Sequence, residues 1–414
     1  MGPLLLLGWA KSGSGFSSTA LRSQGSKVAK NIGGNLSTMQ SIDARTFRSR
    51  IERLGARLAD DGVAGALVGP TSDLFYFCGY RAMPLERLTA LVVAPDATSV
   101  LVVPTLERPR VGSVTSSVVD VVVWDDIDDP YDVVCRLISE LCERASENGD
   151  LSLAIDPRIW AVHLLEIQSR LRGAAFVDLA RFSGPQRAVK DELELDAMRR
   201  AAAVADRVAC RLGELVEAGL TERQVAKRIG DALLDEGAET VEFVIVASGP
   251  NSASPHHEPS HRVLSRGDVV VCDFGGTVDG YCSDITRTVV LGEVPTGFGR
   301  VYEVVEEAQQ AAVEKARAGT SAAAVDRAAR SVIEDAGYGE NFLHRTGHGI
   351  GIDVHEAPYI VSSNREKLSE NMTFSIEPGI YVEGRWGVRI EDIVVSTPMG
   401  GERLNDAPRD LLVI

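Results

Sequence analysis

Apolar residues recur at helical spacing from Ile42 to Asp60, and from Gly65 the pattern changes to short apolar runs such as Ala66-Leu-Val and Leu88-Thr-Ala-Leu-Val-Val. Strand and helix patterns alternate from there. Thr98 to Val103, Val118 to Trp124 and Ser152 to Ile155 read as strands, while Tyr131 to Ser146 and Ile159 to Leu171 read as helices. Together they predict an α/β domain over residues 41–185, closed by the polar stretch Arg181 to Gln186. A long helical segment, Asp191 to Glu217, opens a second domain over residues 186–414. Ahead of both, residues 1–40 carry one short apolar run, Leu4 to Ala10, followed by a Gly- and Ser-rich stretch poor in aromatics, which predicts a disordered leader. No Lys or Arg precedes that run, so the charged start of a secretory signal is missing, and Met39 offers an alternative translation start.

The second domain contains an internal repeat. Ala218-Gly-Leu-Thr-Glu-Arg-Gln-Val225 aligns with Ala318-Gly-Thr-Ser-Ala-Ala-Ala-Val325, and Gly237 aligns with Gly337, at a constant offset of 100 positions. Both copies place Thr221 or Ser321 at a helix N-cap and a glycine just past the helix end. Two unrelated helices with ordinary caps, or a duplicated α/β unit with an approximate twofold, would each read this way.

Polar residues on the strands favour duplication. Asp273 and Asp284 each interrupt an apolar strand pattern on either side of a Gly-rich turn, and Glu377 and Glu391 repeat the plan further along. An ionised carboxylate on a buried strand is expensive unless it is paired or holds a metal. Four such groups need positive charge between them, and oxygen donors with an imidazole suit hard or borderline divalent ions. Six of the seven histidines lie between 256 and 355. His348 stands among glycines in Thr346-Gly-His-Gly-Ile-Gly351, and His355 follows in Val354-His-Glu-Ala-Pro358. His256, His257 and His261 share a Gly/Pro/Ser-rich loop, where solvent exposure is the ordinary reading for His257 and His261; His163 is expected on a surface helix.

Composition narrows the function classes. The chain has 414 residues, 44% of them hydrophobic and 25% charged, with a formal charge of −16 that repels phosphate backbones and anionic lipid. Neither nucleic acid nor membrane is expected as a partner. Six scattered cysteines without a CxxC pair suggest a reduced, cytoplasmic protein.

With these motifs in place, residues 186–414 resemble the pita-bread metallopeptidases, a family that includes Xaa-Pro aminopeptidases, prolidases and methionine aminopeptidases, with creatinase as a related hydrolase that works without metal. The resemblance implies an α+β fold: a C-terminal pita-bread domain with an internal pseudo-twofold, preceded by an α/β creatinase-type N-terminal domain. It implies two divalent ions, manganese first with cobalt or zinc as alternatives. Asp273 matches a ligand of one ion, Asp284 and Glu391 match bridging ligands, and His348 and Glu377 match ligands of the second ion. His256, His344 and His355 match residues of the substrate pocket, and Arg389 matches an arginine beside the site, although a strand-edge ion pair would equally explain it. In the mechanism so implied, Glu377 takes and passes the proton while His355 helps to hold the oxyanion.

The large N-terminal domain favours the Xaa-Pro branch, whose substrates are short peptides with proline at the second position, and implies a homodimer. Some prolidases carry an arginine directly after His-Glu-x-Pro, where a guanidinium can engage a dipeptide's carboxylate; here that position is Tyr359. The expectation is therefore an Xaa-Pro aminopeptidase, with an Xaa-Pro dipeptidase as the alternative and a non-catalytic peptide-binding module as the rival from another class.

Overall fold

A computed structural model describes residues 42–142 and 151–414; the expected leader, residues 1–40, lies outside them. The first helix, Ala44–Asp60, begins where the Asp43 carboxylate accepts the backbone N–H groups of Arg45 and Thr46, both at 3.0 Å. Its Phe47, Ile51, Leu54 and Leu58 fall on one face and are buried. They cover a six-stranded mixed sheet in the order Asp120–Trp124, Ser99–Pro104, Ala90–Val93, Gly65–Val68, Ser152–Ile155, Ala175–Asp178. Helices Pro130–Cys142 and Ala161–Arg170 belong to the core cluster on the sheet's other face. His163 is buried there, its Nδ1 3.0 Å from the Tyr131 hydroxyl, and not on the surface as the sequence pattern suggested.

The second lobe is built twice. Helices Glu222–Asp235 and Ala322–Asp335 start at Thr221 and Ser321, whose side chains accept from Gln224 N and Ala324 N, so the offset of the sequence repeat reappears in the element boundaries. Each is preceded by an 18-residue helix, Glu192–Ala209 in one half and Phe298–Lys315 in the other. Each half contributes a sheet, antiparallel throughout except where Leu412–Val413 pairs parallel with Ile285–Val290. One runs Leu412–Val413, Ile285–Val290, Val269–Val278, Thr240–Ser248; the other runs Glu356–Ile360, Gly347–Gly349, Thr373–Ile376, Asp392–Ser396, Gly401–Arg403. This is the α+β pita-bread plan. The single helix expected over Asp191 to Glu217 stops at Ala209 and resumes as Leu212–Leu215, which turns Leu212, Leu215 and Val216 into the core of the first half. The expected domain boundary at 185 falls inside helix Ala180–Ala188.

Arg50 ties the first helix to the start of the second lobe. Its side chain is fully buried, lies 4.1 Å from the Tyr76 ring centroid, and brings Nη2 to 3.2 Å from Asp191 Oδ2 and 3.4 Å from Glu194 Oε2. The Tyr281 hydroxyl donates to Glu194 Oε1 at 2.9 Å. Removing the cation would strand a buried carboxylate. Arg50→Met should lower stability by about 3–5 kcal/mol, read as the shift in denaturant midpoint, whereas Glu52→Gln on the exposed face of the same helix should leave the midpoint unmoved.

Candidate metal centre

Strand register brings the carboxylates together. Asp273, in Val269–Val278, is the Cα partner of Thr286 on Ile285–Val290. Asp284 lies just before that strand, two residues from Thr286, and lines the same cavity as Asp273. In the other half, Ile376 pairs with Asp392, so the next residue pair outward is Glu377 and Glu391. A single bridge, Thr286 to Glu391, links the two sheets, and the Thr286 hydroxyl donates to Glu391 Oε2 at 2.6 Å.

His348 arrives from strand Gly347–Gly349. Its flanking glycines are required by the packing: a Cβ on Gly347 would stand 1.9 Å from the Ser375 carbonyl oxygen, and one on Gly349 would stand 2.2 Å from that of Ala357. The ring Nδ1 lies 3.1 Å from the Gly349 carbonyl, which can only accept, so Nδ1 carries the proton and Nε2 presents a lone pair. That Nε2 is 3.4 Å from Glu377 Oε1 and 3.7 Å from Asp284 Oδ2. Burial, with His355 adding to it, pulls the His348 value down to about 3, which keeps the ring neutral and able to ligate.

Arg389 is buried behind the carboxylates. It donates from Nη2 to Asp273 Oδ2 at 2.6 Å, from Nε to Thr286 Oγ1 at 3.1 Å and from Nη1 to the Tyr381 hydroxyl at 2.9 Å. The strand-edge ion pair and the place beside the site are thus one arrangement. His344 ends this chain: its Nδ1 donates to the Arg345 carbonyl at 2.7 Å, so its Nε2 accepts from Tyr381 at 2.8 Å. Both of its ring nitrogens are engaged. His355 and His256 are exposed along the cavity wall, and the His355 ring centroid is 3.9 Å from that of His348.

The four carboxylates, Arg389 and His256, His344, His348 and His355 line one cavity of about 870 Å³. Asp284, His348 and Glu391 can each bring a ligand atom within 4.8 Å of the others. Asp273 Oδ1 and Asp284 Oδ1 are buried with no hydrogen-bond partner among the described residues. Burial, and next the Glu391 charge, push Asp284 far above the usual carboxylate range; burial and then Glu377 do the same to Glu391. Burial lifts Glu377 to about 7 although Arg389 pulls the other way. Orphaned oxygens, mutually repelling carboxylates and a neutral imidazole fit a divalent cation in this place.

Residues 196–398 match metallopeptidase family M24, and residues 50–189 match the creatinase/prolidase N-terminal domain. The probable dipeptidase PepE of Mycobacterium tuberculosis is 42% identical over 376 residues, covering 90% of this chain and 98% of that protein. The chain belongs to metallopeptidase family M24. It is also 36% identical over 372 residues to an Xaa-Pro dipeptidase of Lactobacillus delbrueckii subsp. lactis, covering 88% of this chain and 98% of that protein. A crystal structure of a recombinant prolidase from Thermococcus sibiricus matches with a TM-score of 0.83 at 39% identity, covering 90% of this chain and 100% of that one. As an M24 metallopeptidase, the protein is a metal-dependent hydrolase.

Three features of this M24 site lie outside the sequence reading. Arg345 lines the cavity with its guanidinium 4.4 Å from the Tyr359 ring centroid. Tyr381 relays between Arg389 and His344. Glu222, fully buried, accepts from Ser248, Asn251 and Ser260 and from His257 Nε2 at 2.8 Å, fixing the loop that carries His256. His257 is therefore partly buried and paired, contrary to the exposed-loop expectation, whereas His261 is exposed beside Arg223. None of the three was marked in the sequence: Arg345 stands between His344 and His348 without a pattern of its own.

The carboxylate shifts give a sign to the pH dependence. Asp284, Glu377 and Glu391 have folded values above their unfolded ones, so the stability they lend the metal-free protein is complete below about pH 4. It is lost as pH rises through the folded values, about 7 for Glu377. A divalent cation binds the ionised forms. The gain in Tm on adding manganese should therefore be larger at pH 7 than at pH 5, and Asp284→Ala or Glu391→Ala should abolish both that gain and turnover. Equal gains at the two pH values, or full activity after exhaustive chelation, would contradict the assignment.

Proposed function

We propose that this M24 peptidase is an Xaa-Pro dipeptidase, cleaving the bond before a C-terminal proline, with Asp273, Asp284, His348, Glu377 and Glu391 holding two divalent ions. The observation that carries the reading is Arg345. It lines the same cavity as the carboxylates, lies against Tyr359, and forms no ion pair with a carboxylate among the described residues. Arg158, exposed at the same cavity wall, is held by Asp353 at 2.9 and 3.0 Å, whereas Arg345 is half-buried. The aromatic face at Tyr359 thus supports a cation from a neighbouring strand end, in place of the arginine whose absence pointed to an aminopeptidase. The dipeptidases among its relatives support the same choice over the aminopeptidase expectation.

When bound, the ions would lower the pKa of water toward neutrality and polarise the scissile carbonyl. Glu377, which lies 3.4 Å from His348 Nε2 in the cluster, would take a proton from the attacking water and pass it to the leaving imino nitrogen. His355 donates a hydrogen bond to the developing oxyanion. His256, on the loop fixed by Glu222, and His344, fixed by Tyr381, bound the pocket for the proline ring. A proline nitrogen brings no N–H to the bond, so shape and the terminal carboxylate carry recognition. Arg345→Met should raise KM for Ala-Pro by about tenfold or more while leaving kcat/KM for Ala-Pro-amide nearly unchanged. A tenfold wild-type preference for Ala-Pro-Ala over Ala-Pro would overturn the reading in favour of an aminopeptidase.

The reading includes a cytoplasmic location and a homodimer. Among the described residues no helix is long and apolar enough to cross a membrane. Trp160, Val162 and Leu165 leave apolar surface open at 43%, 50% and 63% exposure, which supports association through the first lobe. Light scattering at micromolar concentrations should give twice the chain mass, and a monomer throughout would contradict it.

A further inference from the structure

His355 sits in an irregular segment between strands Gly347–Gly349 and Glu356–Ile360, and carboxylates flank it on both sides. Asp353 accepts from Arg187 Nη2 at 2.7 Å, from Arg158 Nη1 at 2.9 Å and from the Ser72 hydroxyl. Glu356 accepts from Lys190 Nζ at 2.6 Å and from the same Arg187 Nη2. Arg187 is buried, and its other arm, Nη1, donates to Asp73 Oδ1 at 2.8 Å; Asp73 is held in turn by the Ser183 hydroxyl at 2.8 Å. Ser72, Asp73, Arg158 and Arg187 all come from the first lobe, and Lys190 from the connection that follows it. The fork of one guanidinium therefore spans a first-lobe carboxylate on one side and both carboxylates around His355 on the other.

We infer that Arg187 is a positioning residue for His355: the first lobe sets the place of this imidazole in the cleft through a buried charge clamp on Asp353 and Glu356. The inference rests on the role given to His355 above. An ammonium group is a point charge on a flexible stem and cannot span the three carboxylates as the planar fork does. A displacement of His355 by about 1 Å is enough to cost about a hundredfold in rate.

The test is a double-mutant cycle on the metal-loaded enzyme with Ala-Pro as substrate. Arg187→Lys should lower kcat by about 10–100-fold, with KM within about threefold of wild type and an unchanged metal content. Because its effect passes through His355, Arg187→Lys combined with His355→Ala should be no slower than His355→Ala alone, within about threefold. Asp353→Asn removes one anchor while keeping its shape. It should show the same split more weakly, and serves as the variant if Arg187→Lys does not fold. Wild-type kcat in Arg187→Lys, or a double mutant slowed by the full product of the single effects, would overturn the clamp. Wild-type kcat in His355→Ala would overturn the role of His355 itself, and the clamp with it.

Discussion

Like charges held close together away from water are the constraint around which the rest of the molecule is arranged. Asp273, Asp284, Glu377 and Glu391 line one cavity, and the two glutamates and Asp284 are all pushed toward their neutral forms by burial and by neighbouring carboxylates. Protein groups answer only part of that repulsion. Arg389 neutralises one side and is anchored by Thr286 and Tyr381, so its charge cannot drift toward the opening. The nearest imidazole is kept neutral and aimed by the Gly349 carbonyl. What remains is a concentration of negative charge with two orphaned oxygens, a place made for a small cation.

Much of this could be read from the sequence, because a charge inside an apolar strand stands out. Asp273 and Glu391 interrupt runs that would otherwise be pure core, and the glycines around His348 mark a close approach of backbones. Hydroxyl caps at Thr221 and Ser321, 100 positions apart, exposed the duplication. Residues whose roles depend on long-range register left little trace. Arg345 reads as an ordinary loop arginine until the pairing of His348 with Tyr359 brings the aromatic face beneath it. Glu222 looks like a solvated first-turn acid of a helix, and only the folded loop shows it gathering Ser248, Asn251, His257 and Ser260. The helix break after Ala209 was hidden because Leu212, Leu215 and Val216 continue a helical pattern while pointing into the core.

The first lobe is tied to the second by buried charges at two places. Arg50 meets Asp191 and Glu194 where the second lobe begins, and Arg187 reaches Asp353 and Glu356 at the cleft. Burial makes such pairs expensive to break one partner at a time, whatever they contribute as intact pairs. They favour one relative placement of the lobes over the neighbouring ones that apolar packing alone would tolerate.

The duplication also bears on how the chain folds. Each half of the second lobe has its own helices and its own apolar cluster, while the ligating groups are divided between halves whose sheets meet at the Thr286 to Glu391 bridge. Contacts of such wide sequence separation form late, after local helix pairs and hairpins are in place. The cation-binding cluster is thus completed only when the halves dock, and a group completed after the rate-limiting barrier acts on the rate of escape from the native state. A cation held there would lengthen the life of the folded protein more than it would speed its making.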